Sequence, residues 1–169
     1  MAELSTRRYR MWEEEMLGEY TARHLPHARI MTRVRLGPTT GVEPNPTLTF
    51  EERVMVGAAW RRWADAVAVY GGALYVLELA MLPDPRDISL LETYCALVPS
   101  TPELEEFRAL PCRGRLVWAI DDPFSRTLAV KHGLEVVIFR PSNWREWISV
   151  KRARESRAAV TLLPLGDAP

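Results

Sequence analysis

Long hydrophobic runs are missing from this chain of 169 residues. No stretch approaches the ~18 consecutive apolar residues of a bilayer-spanning helix, so the sequence predicts no membrane-embedded segment and no membrane partner. The opening MAELSTRRYR carries no apolar stretch of the kind a secretory signal needs, which predicts a cytoplasmic protein. Cysteine is scarce. Cys95 and Cys112 are spaced for neither a disulfide framework nor a zinc site, and read as free thiols in a reducing compartment. Net charge is absent too: 22 basic residues balance 22 acidic ones, so nothing global draws the chain to nucleic acid. Repeats and low-complexity tracts are also missing. What is present is an ordinary globular balance, 47% hydrophobic and 26% charged, in a length that suits one domain with a sizeable core.

The pattern of apolar residues predicts an alternation of helices and strands. Tyr9, Trp12, Met16 and Tyr20 recur at helical spacing between Arg8 and Arg23, and Pro26 closes that helix. Ile30, Thr32, Val34 and Leu36 alternate with Met31, Arg33 and Arg35, a strand with one face in water. A proline-rich loop follows, then a helix opened by Thr49 with Glu52 completing a capping box and ending near Trp60. Ala64–Tyr70 and Ala73–Ala80 are strand-like runs joined by Gly71-Gly72. That dipeptide marks a hairpin, because a type I′ turn needs positive φ at both positions. Both runs are apolar on both faces, which places the hairpin centrally in a sheet covered by helices on each side.

Further on, Asp87–Leu97 reads as a helix, Pro99–Gly114 as mostly loop, and Leu116–Ile120 as a buried strand. Asp122 caps a helix with Pro123 at its first position and Gly133 at its end. Leu134–Phe139 reads as a last buried strand and Trp144–Arg157 as a closing helix. The fold class expected is α/β, a mixed sheet between helices.

Hairpin arithmetic singles out two acids. If Gly71-Gly72 is the whole loop, paired residue numbers sum to 143 and Asp65 faces Glu78. Opposed like charges ~5 Å apart are destabilising. A divalent cation relieves the repulsion, since Mg²⁺ takes oxygen ligands and often one or two protein carboxylates. The plainer alternative is a pair of solvated acids at a wet strand end. The same arithmetic, with a side-chain period of two, puts Ala80 and Trp63 on that face.

An Asp at the start of one strand followed by Glu-x-Lys on the next is the signature of the PD-(D/E)XK, or restriction-endonuclease-like, nucleases. From about Val34 to Trp147 the chain resembles that superfamily, most of all its small phage and mobile-element members. The pieces that carry the resemblance are Arg62-Trp63-Ala64-Asp65-Ala66-Val67, Glu78-Leu79-Ala80, Pro83-Asp84-Pro85, Tyr94, and Pro99-Ser100-Thr101-Pro102-Glu103-Leu104. The resemblance implies a restriction-endonuclease-like α-β-β-β-α-β core and a Mg²⁺- or Mn²⁺-dependent phosphodiester hydrolase acting on DNA. Asp65 and Glu78 would be its catalytic and metal-binding residues, with Glu14 as a third ligand from the first helix. Two positions depart. Ala80 stands where the superfamily has the lysine that handles the attacking water and the developing charge, and Ser89-Leu90-Leu91-Glu92 lacks the auxiliary glutamine. The departures open a second expectation, a catalytically degenerate nuclease fold kept as an assembly part such as a phage head–tail connector, in a host cell or a virion.

Nucleic-acid contacts are expected at Arg62 and Arg86, nearest the acids, and at Lys151, Arg152 and Arg154 behind Trp144 and Trp147. The plainer reading of that last region packs the tryptophans into the core. Glu14 and Glu15 read more readily as a solvated helical face than as a third ligand, and His24 and His27 as helix-end residues rather than ligands. The domain expected is residues 1–150, with 151–169 a basic arm touching DNA or other subunits, whether virion neighbours or a homo-oligomer.

Overall fold

The computed structural model describes residues 2–38, 49 and 61–161, with side chains for residues 11–38, 49 and 61–152. The elements are α1 (Ala2–His24), β1 (Arg29–Leu36), β2 (Arg62–Tyr70), β3 (Ala73–Ala80), α2 (Pro85–Leu97), β4 (Cys112–Trp118), α3 (Pro123–Lys131), β5 (Glu135–Ile138) and α4 (Trp144–Thr161). Two short 3₁₀ turns, Val98–Ser100 and Pro102–Phe107, lie between α2 and β4. The helix expected from Thr49 to Trp60 falls outside the described residues, apart from Thr49 itself.

The five strands form one sheet in the order β1-β2-β3-β4-β5. β1, β2 and β3 are antiparallel neighbours, whereas β3, β4 and β5 run parallel. The α/β class, the α-β-β-β-α-β order and the central mixed sheet are those expected. Gly71 and Gly72 have φ of 57° and 77°, as a type I′ turn demands, and the hairpin register sums to 143 from Tyr70–Ala73 to Ala66–Leu77.

Two cores sit on the two faces of the sheet. Trp12, Met16 and Tyr20 of α1 and Trp147 of α4 pack with Ala66, Ala68, Tyr75, Leu77 and Leu79 on one side. Ile88, Leu91 and Tyr94 of α2 and Ala129 of α3 pack with Val67, Leu74, Val76, Leu116 and Trp118 on the other. Fully burying each such side chain contributes about 1.5–3 kcal/mol, so these two clusters dominate the stability of the fold.

Several expectations need correction. Strand β4 begins at Cys112, within the stretch read as loop, because it pairs with β3 from Leu74 onward. β5 is an edge strand, partly exposed along its length, rather than a buried one. The alternation expected along β1 breaks. Ile30 packs into the α1 side, whereas Val34 and Leu36 pack into the α2 side. Arg33, at φ 52°, turns the chain over between them. β2 changes face at the same level, with Ala64 in the α2-side core and Ala66 in the α1-side core. Trp63 therefore does not share a face with Ala80.

Lys151 lies inside α4, so the helix runs through the expected 150/151 boundary. Trp147 is buried and Trp144 stacks on it at 5.2 Å, the core role of the plainer reading. His24 stacks on Tyr20 at 4.9 Å and meets the edge of Phe139, a packing role as well. None of the described helices is long and apolar enough to cross a membrane.

Candidate active site

The sheet splits at one place. The β2–β3 ladder ends at Ala66–Leu77, while β2 continues to pair with β1 down to Arg62 and β3 continues along β4 to Ala80. Asp65 and Glu78 stand one step beyond the last rung. The register predicted them as a ladder pair, but they flank a cleft instead. The backbone groups released by the split are taken up by the acids themselves. Leu79 N donates to Asp65 Oδ2 at 2.9 Å, and the Asp65 backbone amide donates to the Glu78 carboxyl.

The cleft at the split has a volume of about 410 Å³ and is lined by Glu13, Asp65, Glu78, Leu79, Ala80, Leu82, Pro83, Asp84 and Asp87. Burial pushes the Glu78 carboxyl up to about 9, and the negative charges of Asp65, Asp87 and Glu13 add to the shift. Glu78 Oε2 is buried with no hydrogen-bond partner among the described residues. Burial also pushes Asp87 up to about 6, followed by the charge of Asp84. The Tyr94 hydroxyl is raised to about 12 by burial and then by the charges of Glu78 and Asp65. A concentration of carboxylates in one half-buried cleft is thus the dominant electrostatic feature.

Helix α2 brings Asp87 into the cleft. Asp84 caps that helix through Arg86 N at 2.9 Å, and Pro85 occupies the first turn. Asp84 and Asp87 were missed in the sequence, where Pro83-Asp84-Pro85 read as loop. The available signal was an N-cap Asp followed by Pro.

Glu14 is not the acid that α1 sends to the cleft. It is exposed and pairs with Arg33 at 2.5 Å, and Glu13 lines the site in its place. The 100° step between neighbours on a helix separates the two side chains. A second cleft of about 970 Å³ runs from Asp65, Leu79 and Glu13 along β1 and α1, past Glu14, Arg33 and Trp63.

Arg62 and Arg86, expected at a nucleic-acid surface, line one groove together with Arg35, Arg61 and Trp63. Arg86 is held by Asp84 through Nε at 2.9 Å. Lys151 places its ammonium 5.4 Å from the Trp147 ring centroid, and Arg152 is exposed. The side chain of Arg154 lies outside the described residues.

Among the described residues, no three His, Cys, Asp or Glu side chains converge closely enough to hold a metal ion by themselves. The residues that could hold one are Asp65 and Glu78. Glu78 offers an oxygen with no partner, and Asp65 commits Oδ2 to Leu79.

No protein-family model matches the chain, and no curated protein matches it. Among solved structures, it is similar to the protein in a complex of EndoMS with double-stranded DNA, at 17% identity and a TM-score of 0.46, covering 76% of this chain and 45% of that one. It is also similar to a repair endonuclease from Pyrococcus abyssi, at 20% identity and a TM-score of 0.46, covering 76% and 47%. The chain spans about half the length of these two structures.

Proposed function

We propose that the chain is a nuclease-fold protein that acts on DNA as a Mg²⁺- or Mn²⁺-dependent phosphodiester hydrolase. The observation that carries this reading is the split of the sheet at Asp65 and Glu78, with a buried, unpartnered Glu78 oxygen at its floor. The cation would be held by Asp65 and Glu78, and there it would supply Lewis-acid stabilisation and an acidified water. The residues around it prepare the site. Leu79 N–H fixes one Asp65 oxygen, Oδ2, and so sets the orientation of that carboxylate. Glu78 carries a proton at neutral pH until a positive charge replaces it, so loading the site releases that proton. Glu13, Asp84 and Asp87 hold the cleft negative and repel a phosphodiester that arrives without a cation.

One observation supports the second reading, a catalytically silent nuclease fold serving in an assembly. Ala80 lines the cleft where the superfamily has its lysine, and the alanine supplies neither donor nor charge. Arg86, the next cation along the chain, does not deprotonate in proteins and so does not take over the proton-handling role of a lysine.

Incubating the protein with supercoiled, linear and single-stranded DNA, in Mg²⁺ and separately in Mn²⁺, decides between the two. The hydrolase reading expects cation-dependent cleavage that Glu78→Ala abolishes. DNA left intact under every condition, with normally folded protein, supports the silent fold.

A further inference from the structure

Trp63 is a large aromatic residue left 51% exposed, although it lies on β2 just two residues before Asp65. It lines both the acidic cleft that runs to Asp65 and the groove of about 790 Å³ that holds Arg35, Arg62, Arg86 and Tyr94. The Arg35 guanidinium stacks over its ring, 4.4 Å from the centroid. Arg61 is a scaffold for this arrangement. Its side chain is 7% exposed, and it ties Glu103 to the Arg35 carbonyl.

We propose that Trp63 is a stacking platform for an unpaired nucleobase, with the flanking phosphates held by Arg35, Arg62 and Arg86. The proposal rests on the nucleic-acid reading above and adds the substrate class, single-stranded or locally unpaired DNA. Three features of the groove point there. Its charge is opposite to that of the neighbouring acid cleft, so phosphates are drawn to one and excluded from the other until a cation is present. An indole face in water pairs with a base face, and duplex bases conceal theirs in the stack. Two residues along a strand span about 7 Å, within reach of the nucleotide whose base stacks on Trp63. A base on Trp63 thus places a phosphate of the same strand near Asp65. The Arg86–Asp84 pair is exposed at the groove edge, and exposed pairs of this kind exchange partners at small cost.

Fluorescence anisotropy in chelator, where no cleavage occurs, tests this with a labelled oligothymidylate and a blunt duplex of equal length. The single strand is expected to bind more tightly than the duplex. Trp63→Leu, which keeps apolar bulk without a π face, should weaken single-strand binding about tenfold, the effect of one stacked base. Trp63→Phe should retain most of it. Arg62→Gln should lower the slope of log affinity against log salt by about one. Equal binding of both forms, unchanged in Trp63→Leu, overturns the platform while leaving the hydrolase reading in place. Binding of neither form also overturns the platform, and the cation-dependent cleavage assay decides the hydrolase reading separately.

Discussion

Asp65 Oδ2 accepts the Leu79 amide proton at 2.9 Å. This side-chain bond takes the place of a backbone rung where β2 and β3 separate, so the acid both ends the ladder and stands at the mouth of the cleft. The separation costs a central hairpin one or more backbone pairs. The carboxylates meet part of that need themselves, and the unpartnered oxygen of Glu78 is what is left over.

Stability should fall as pH rises through the neutral range when no divalent cation is present. The folded-state value of Glu78 lies near 9, above its ordinary 4.5. Between those two values the folded chain keeps a proton that the unfolded chain has released. The stabilisation is complete below pH ~4.5 and is lost as pH climbs toward 9. Glu78→Gln should raise Tm at pH 8 in chelator, leave it nearly unchanged at pH 4, and flatten the profile between. Circular-dichroism melts across that range provide the check.

A divalent cation should reverse this. Binding to the folded state alone stabilises by about 2.7 kcal/mol at a hundredfold excess over Kd. Each kcal/mol moves Tm by roughly 2–4 °C in a chain of this size, so Mg²⁺ or Mn²⁺ should raise Tm by several degrees. Asp65→Asn and Glu78→Gln should each remove the shift. An unshifted wild-type melt in saturating Mn²⁺ would falsify the cation site.

Ala80→Lys asks whether the site lacks only its lysine. The residue lines the cleft beside Glu78 and Asp87, where an ammonium meets opposite charge. Plasmid nicking in Mn²⁺ should increase at least tenfold over wild type if a proton-handling group is what limits the rate, since such groups contribute about 10²–10⁴-fold. No gain, with the cation-dependent melt preserved, would show that the site binds metal without supporting hydrolysis.

Gly114 tests the α2-side core independently of the acids. A Cβ there would lie 2.6 Å from Leu134 Cδ2, 3.1 Å from Cys95 Sγ and 3.1 Å from Leu91 Cγ. Overpacking at such a site costs about 1–3 kcal/mol. Gly114→Ala should therefore lower the midpoint of urea unfolding, while the Mn²⁺-induced change in Tm stays as in wild type.

The sequence by itself determined the architecture. Gly71-Gly72, the two-sided apolar strands and the Asp122-Pro123 cap are local signals whose physics acts within a few residues, and all three recur in the structure. The hairpin arithmetic brought Asp65 and Glu78 together for the same reason, since a tight turn sets the register. Tertiary structure decided the rest. Whether the ladder reaches Asp65–Glu78 depends on β1 and β4 pulling β2 and β3 apart, a contest between neighbours that no local pattern records. The choice of Glu13 over Glu14 depends on how α1 is rotated on the sheet, which Trp12, Met16 and Tyr20 settle by burial. Arg62, Arg86 and Trp63 meet because β2 and α2 both begin at the same groove. Their grouping is a property of packing, and only the folded chain creates it.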